Sequence, residues 1–328
     1  MKAAVYRQYG PPEVVRIEEI EQPIPAAGEV LVRVVASTVC TLDWRLRKPE
    51  PPQLGWTLNG FGRPKKFHVL GLEFAGTVAG VGEDVTGLAI GERVFGSSLG
   101  FGAHAEYACF PRSRVARMPA NATFAEATAI PYGGFTALHF LRRAGIKAGQ
   151  KVLICGASGS VGSASVQLAK SFGAHVTGVC SAANFELVKA IGADGVVDYA
   201  NEDFAAAGPV YDIVQDVGGK AGHRRCQRAL KPGGVFVDIA PTPTSLAGGL
   251  WARATRAGSV LGAVEEGAGE PLAFLVELFE QGKFKPVADE RYPLTEIVAA
   301  HRHAESGRKR GNVIVEIATV GAKRPHTP

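Results

Sequence analysis

Cysteine is scarce and unpaired in this sequence. The five residues, Cys40, Cys109, Cys155, Cys180 and Cys226, are scattered, odd in number and never spaced as a CxxC pair. That excludes a disulfide framework and a cysteine-rich structural zinc lobe. No stretch approaches the ~18 uninterrupted apolar residues that a membrane span needs. The opening run Met1-Lys2-Ala3-Ala4-Val5-Tyr6 reads as a strand with no apolar signal core behind it, so a cytoplasmic protein is expected. Internal repeats and low-complexity segments are also lacking. With 46% hydrophobic and 20% charged residues, the chain is neither disordered nor fibrous. The net charge of +5 comes from short basic groups spread along the chain, such as Arg63-Lys65-Lys66, Arg142-Arg143 and Arg308-Lys309-Arg310. A nucleic-acid protein concentrates such groups on one element, so these are read as solvated surface charge.

What is present is length, glycine and a change of texture. At 328 residues the chain exceeds what one hydrophobic core usually organises, so two domains are expected. The 41 glycines imply many tight turns and close backbone approaches. Residues 1–120 read as β-rich, with Val30 to Ala36 a strand and glycines and prolines punctuating short apolar runs. Pro49 to Pro64 reads as a long surface loop. From about residue 125 strands and helices alternate: a helical stretch from Ala125 to Ala144 interrupted near Pro131 and Gly133-Gly134, the strand Lys151–Cys155, a glycine turn, and a helix from Val161 to Phe172. Short strands near His175, Gly195, Asp212, Gly234 and Ser259 follow, a pattern that predicts an α/β fold with a doubly wound parallel sheet.

The turn Gly156-Ala157-Ser158-Gly159-Ser160-Val161-Gly162 lies between a buried-type strand and an amphipathic helix. Glycines there let the backbone approach a pyrophosphate, and the helix N-terminus offers unpaired N–H groups and a positive dipole end. Dinucleotide binding is therefore expected from Ser158, Gly159, Ser160, Val161 and Gly162. NAD-selecting sites place a carboxylate about 20 residues on, at the end of the next strand. Here Cys180 to Asn184 contain none, while Ser181 and Asn184 can donate hydrogen bonds to a 2′-phosphate, so NADPH is the expected cofactor.

Several segments together resemble the medium-chain dehydrogenase/reductase superfamily, in its zinc-free quinone oxidoreductase branch. They are Met1-Lys2-Ala3, Ala36 to Asp43, Leu70 to Val78, Gly102 to Tyr107, Gly134-Phe135-Thr136-Ala137, the glycine turn and Leu230 to Gly234. The resemblance implies a GroES-like β-rich catalytic domain (1–124 and 265–328) around an inserted Rossmann NADP-binding domain (125–264). It also implies a homodimer joined through Ser259 to Val264. Zinc members place ligands at the positions of Cys40, Leu72 and Tyr132; only the first can bind zinc, so no metal is expected. Further cofactor contacts implied are Cys40, where the branch carries Asn, Thr136, Tyr199, and Asn312, where relatives carry Lys. Read without the resemblance, Cys40 is a buried inert thiol, Thr136 a back-bonding helix threonine and Tyr199 a core aromatic. Glu73 and Asp43 are read as hydrogen-bonded supports, and His68, His104, His301 and His303 as satisfied or exposed. Arg45 and Tyr132 are the candidate catalytic groups by family position. The implied activity is zinc-independent, NADPH-dependent hydride transfer to a quinone or an activated enone or enal, without membrane or nucleic-acid partners. A zinc-dependent alcohol dehydrogenase and a non-catalytic NADPH-binding module remain the alternatives.

Overall fold

The computed structural model describes residues 1–49, 52–240, 258–260 and 269–317. In chain order the strands are β1 (Lys2–Val5), β2 (Arg16–Glu19), β3 (Glu29–Val39), β4 (Glu73–Val81), β5 (Arg93–Ser97), β6 (Tyr107–Pro111), β7 (Val115–Arg117), β8 (Lys151–Cys155), β9 (His175–Cys180), β10 (Gly195–Asp198), β11 (Tyr211–Asp216), β12 (Leu230–Asp238), β13 (Gly258–Val260), β14 (Ala288–Pro293) and β15 (Asn312–Glu316). Helices that matter below are α1 (Thr41–Arg47), α2 (Pro52–Asn59), α3 (Phe124–Thr128), α4 (Pro131–Arg143) and α5 (Ser160–Ser171). The chain divides into two compact units: Met1–Tyr132 with Glu266–Val276 and Ala288–Pro328, and Gly133–Glu265 with Glu277–Val287.

In the first unit β3 is the organising strand. Its valines, stiff at χ1, suit a pleated surface, and Val30, Val32 and Val34 point into one core. The main sheet runs β14-β15-β3-β4-β5-β7, and β6 also pairs with β3. Phe74 and Phe110 stack at 3.8 Å between ring centroids inside it. Burying such side chains stabilises the unit by roughly 1.5–3 kcal/mol each. A second core gathers Tyr6, Leu46, Leu72, Ile297 and Val313 around Cys40.

The other unit holds a six-stranded parallel sheet in the order β10-β9-β8-β11-β12-β13. Counting from β8 as the first strand, this is the 3-2-1-4-5-6 order of a doubly wound sheet, whose ligands bind beyond the carboxyl ends of the strands. Gly178 on β9 lets a helix lie close, because a Cβ there would stand 2.5 Å from Val188.

Two sequence expectations change. Pro49 to Pro64 is not a plain loop: α2 occupies Pro52–Asn59, and buried Asn59 holds the return by donating to Tyr6 Oη and accepting from the Phe67 N–H at 2.7 Å. The helical stretch after residue 124 breaks at Ala129-Ile130, and Pro131 starts α4, so Gly133 and Gly134 lie inside that helix. Proline at a first helical position loses no hydrogen bond, which explains the placement. Of the proposed dimer strand Ser259 to Val264, residues beyond Val260 lie outside the described residues, as does the run from Pro241 to Arg256.

Candidate functional site: a phosphate cradle and a buried polar cluster

In the second unit, every residue expected to touch the dinucleotide's phosphates and adenosine stands at the carboxyl end of β8, β9 or β10. Gly156 turns the chain out of β8 with φ +84°, a conformation that favours glycine. Gly159 caps α5 with ordinary extended backbone, φ −80° and ψ 178°. The glycines differ in what surrounds them. A Cβ at Gly162 would lie 2.0 Å from the Gly156 carbonyl oxygen, so this glycine is needed for the turn to pack on its helix. At Gly159 the nearest atom to a Cβ is that same oxygen at 3.6 Å, an ordinary contact. The protein leaves space above Gly159 and fills it at Gly162.

Around that space the polar groups are half-committed. Ser160 Oγ, in the first turn of α5, is buried without a hydrogen-bond partner among the described residues. Ser158 Oγ and Ser181 Oγ each accept from Asn184 Nδ2 at 3.1 Å. Asn184 therefore spends both amide hydrogens on positioning two hydroxyls, and among the described residues those hydroxyls keep their own hydrogens for an anion. Tyr199, whose backbone N–H donates to Cys180 O at 3.2 Å, is 60% exposed at the same edge, so it is no core aromatic. Val161 and Thr136 are buried. An orphaned hydroxyl, an open glycine and free helix N–H groups fit a pyrophosphate, and the absence of an acid beside Ser181 fits a 2′-phosphate.

The first unit gathers a polar cluster where β15, β3 and β4 run side by side. Asp43, fully buried, accepts from the Cys40 N–H at 2.8 Å and the Gly71 N–H at 2.9 Å, so it pins the start of α1 to the next loop. Glu73 accepts from the Thr38 hydroxyl and from the Tyr132 N–H at 2.8 Å. Burial pushes its carboxyl up to about 8. Cys40 is buried, and desolvation raises its thiol well above the ordinary range; burial raises the Tyr132 phenol likewise. Arg45 lies over Trp44 with its Nε buried and unpartnered among the described residues. Asn312 is buried at the start of β15.

Some residues were hidden from sequence reading. Thr38 looked like one β-branched strand position among many, and only the pairing of β3 with β4 brings its hydroxyl to Glu73. Lys309 sat in a basic run read as solvated, yet it is only partly exposed and its Nζ donates to Gly311 O at 2.6 Å. The histidines are less satisfied than expected. His104 Nε2 lies 2.9 Å from Thr38 O, but its Nδ1 and both nitrogens of fully buried His301 have no partner among the described residues. Desolvation lowers the pKa of both rings, which favours their neutral forms.

Glu73 carries a stability signature. Its folded-state pKa lies above the unfolded value, so the folded chain binds the extra proton and stability falls as pH rises from about 4.5 towards 8. The slope is at most about 1.4 kcal/mol per pH unit. Glu73→Gln, isosteric and neutral, is expected to gain on the wild type as pH rises. Unfolding midpoints of the two proteins at pH 5 and pH 8.5 check this; an unchanged difference would contradict a buried acid at this position.

Two family models match parts of this chain. Residues 26–120 match the family model "Alcohol dehydrogenase GroES-like domain", and residues 191–315 match "Zinc-binding dehydrogenase". The chloroplastic quinone-oxidoreductase QR1 of Triphysaria versicolor is 32% identical over 96% of this chain and 98% of its own. The 2-methylene-furan-3-one reductase of Solanum lycopersicum is 33% identical over 96% of this chain and 79% of its own. Among solved structures, the quinone oxidoreductase from Coxiella burnetii superposes with a TM-score of 0.86 at 31% identity, covering 97% of this chain and 99% of that one. The Escherichia coli quinone oxidoreductase complexed with NADPH gives 0.85 at 25%, covering 97% and 100%. The zinc in the second model's description does not fit the residues present. The three ligand positions hold a buried thiol, the isobutyl group of Leu72 with no exposed surface, and a phenol, and catalytic zinc needs three protein ligands.

Proposed function

Because the chain belongs to the zinc-free quinone oxidoreductase branch of the medium-chain dehydrogenase/reductase superfamily, we propose that it reduces a quinone or an activated enone or enal at the expense of NADPH. The observation that carries this reading is the combination of an open phosphate cradle with the absence of zinc ligands at Leu72 and Tyr132. Without a Lewis acid to polarise a simple ketone, the acceptor must be electron-poor already. When bound, the dinucleotide supplies the hydride. The chain's own residues bind and orient. Ser158 to Gly162 and the N-terminus of α5 hold the pyrophosphate, and Ser181 with Tyr199 meets the 2′-phosphate. Thr136, Cys40 and Asn312 are assigned to the nicotinamide, and Arg45 and Tyr132 to the acceptor's polar end. Two relatives, a 2-methylene-furan-3-one reductase and an Arabidopsis thaliana NADPH-dependent alkenal/one oxidoreductase, support this acceptor class.

The reading extends to a homodimer joined at β13 and to a cytoplasmic location; no described helix is long and apolar enough to cross a membrane. The test is a panel of quinones, enones, enals and simple ketones, followed by loss of NADPH absorbance. Turnover is expected with the first three and not the last. It should be insensitive to strong chelators, with no stoichiometric zinc in the purified protein. NADPH binding without turnover on any acceptor would leave a binding module instead, and one tightly held zinc per chain would return the alcohol dehydrogenase reading.

A further inference from the structure

The loop that carries Lys309 enters β15 beside the strands that hold the Cys40–Glu73 cluster. β15 pairs antiparallel with β3 so that Val313 lies opposite Val39, which sets Asn312 beside Cys40. On the other flank of β3, Ser37 lies opposite Phe74, which sets Glu73 beside Thr38. The loop entering β15 is held in place. The Arg310 N–H donates to Asp289 Oδ2 at 2.6 Å, Gly311 turns with φ +64°, and Lys309 Nζ donates to Gly311 O at 2.6 Å. We propose that Lys309 is the proton donor of the reaction, passing a proton from Nζ to the acceptor after hydride arrives. The assignment rests on the function proposed above, which places the nicotinamide at Cys40 and Asn312.

Elimination among the cluster's polar groups supports the choice. Arg45 does not release a proton, because a guanidinium stays charged in proteins. The Tyr132 phenol and Cys40 thiol are pushed towards weaker acidity by burial. Glu73 has no exposed surface and both its oxygens are engaged, so it is a positioning residue. Lys309 is partly exposed, and among the described residues its one hydrogen-bond acceptor is a backbone carbonyl, which leaves two N–H bonds to give. The charged and titratable groups facing it are Cys40 at the start of α1, Glu73 on β4 and Asp289 on β14. Asp289 is already engaged by Arg310 and by His303 Nε2 at 3.2 Å, and the neutral form that burial favours in Glu73 does not lock the ammonium in an ion pair. Desolvation lowers the lysine's pKa, which makes its ammonium the readier acid.

The chemistry balances. Hydride forms a C–H bond at the β-carbon of an enone, and the alkene's electron pair moves into an enolate. A new C–H bond then forms at the α-carbon as an Nζ–H bond breaks, and the electron pair of that bond stays on nitrogen as a neutral amine. Water returns the proton to the amine. A quinone needs this less, because its reduced anion is stabilised and can take a proton from solvent.

The experiment compares wild type, Lys309→Met and Lys309→Arg as full chains with NADPH, using an alkyl enone and a benzoquinone. Both variants are expected to lose about 10²- to 10³-fold in kcat on the enone, within the range of general acid catalysis. Loss on the quinone should stay below about fivefold, and KM should change little. A small primary amine added to Lys309→Met should restore part of the enone rate. Independently of turnover, the isotope-labelled dimethylated lysine at 309 should titrate clearly below the ordinary lysine value of ~10.4 by NMR. An unchanged enone rate in either variant, equal losses on both acceptors, or an ordinary titration would overturn the assignment alone. A wild type inert towards every acceptor would overturn the proposed function and this assignment with it.

Discussion

Gly159→Val is expected to yield a folded protein that has lost NADPH binding by about a hundredfold or more, whereas Gly162→Val should not fold stably. The contrast follows from what each added side chain meets. At Gly162 a Cβ would stand 2.0 Å from the Gly156 carbonyl oxygen and 2.8 Å from its carbonyl carbon, both backbone atoms that cannot swing aside. Relieving that overlap means separating β8 from α5, at a cost above the ~1–3 kcal/mol of ordinary overpacking. At Gly159 the backbone is already in the extended region that valine prefers, and nothing but Gly156 O at 3.6 Å faces a Cβ. The protein therefore tolerates valine there, and a pyrophosphate drawn to the N-terminus of α5 does not. Far-ultraviolet circular dichroism and NADPH titration by fluorescence separate the outcomes. A folded Gly159→Val protein that binds NADPH like the wild type would remove the cradle from this turn.

Ser181→Asp should reverse the coenzyme preference. Ser181 begins the turn after β9, and its hydroxyl shares Asn184 Nδ2 with Ser158. In the wild type, hydrogen bonds to a charged group are worth roughly 1.5–3 kcal/mol each, so Ser181 with Tyr199 favours NADPH by one to a few orders of magnitude. A carboxylate facing a doubly charged phosphate at ~5 Å, with an effective dielectric constant of ~40–80, costs about 2–3 kcal/mol. That is a roughly 30- to 150-fold shift before the gain from a new ribose 2′-hydroxyl acceptor. Asn184 can donate to the new carboxylate as it did to the serine, so local structure should hold. The ratio of kcat/KM for NADPH to that for NADH in both proteins is the measurement. A wild type that prefers NADH, or a ratio that does not move in the variant, would contradict this adenosine pocket.

Much of this protein was decided by local pattern. The glycine turn between an apolar strand and an amphipathic helix, the missing acid after β9, and leucine where zinc members carry a ligand are all properties of short segments. The chemistry of the first two follows from residue type and spacing, and that of the leucine from the family resemblance. Alternation of strands and helices after residue 125 likewise implied the parallel sheet, because both periods are local. Tertiary structure decided which of the glycines is a packing requirement and which an opening, since that depends on the distance from β8 to α5. It turned Asn184 from a free donor into the residue that aims two hydroxyls, and it exposed Tyr199 at the sheet edge. It also brought the Thr38 hydroxyl to Glu73 and laid β15, which Lys309 precedes, against β3 from far along the chain. Strand register does that, and register is set by partners that no local run of residues contains. A lysine flanked by arginines looks solvated in sequence; only the pairing of β15 with β3 beside β4 shows what it faces.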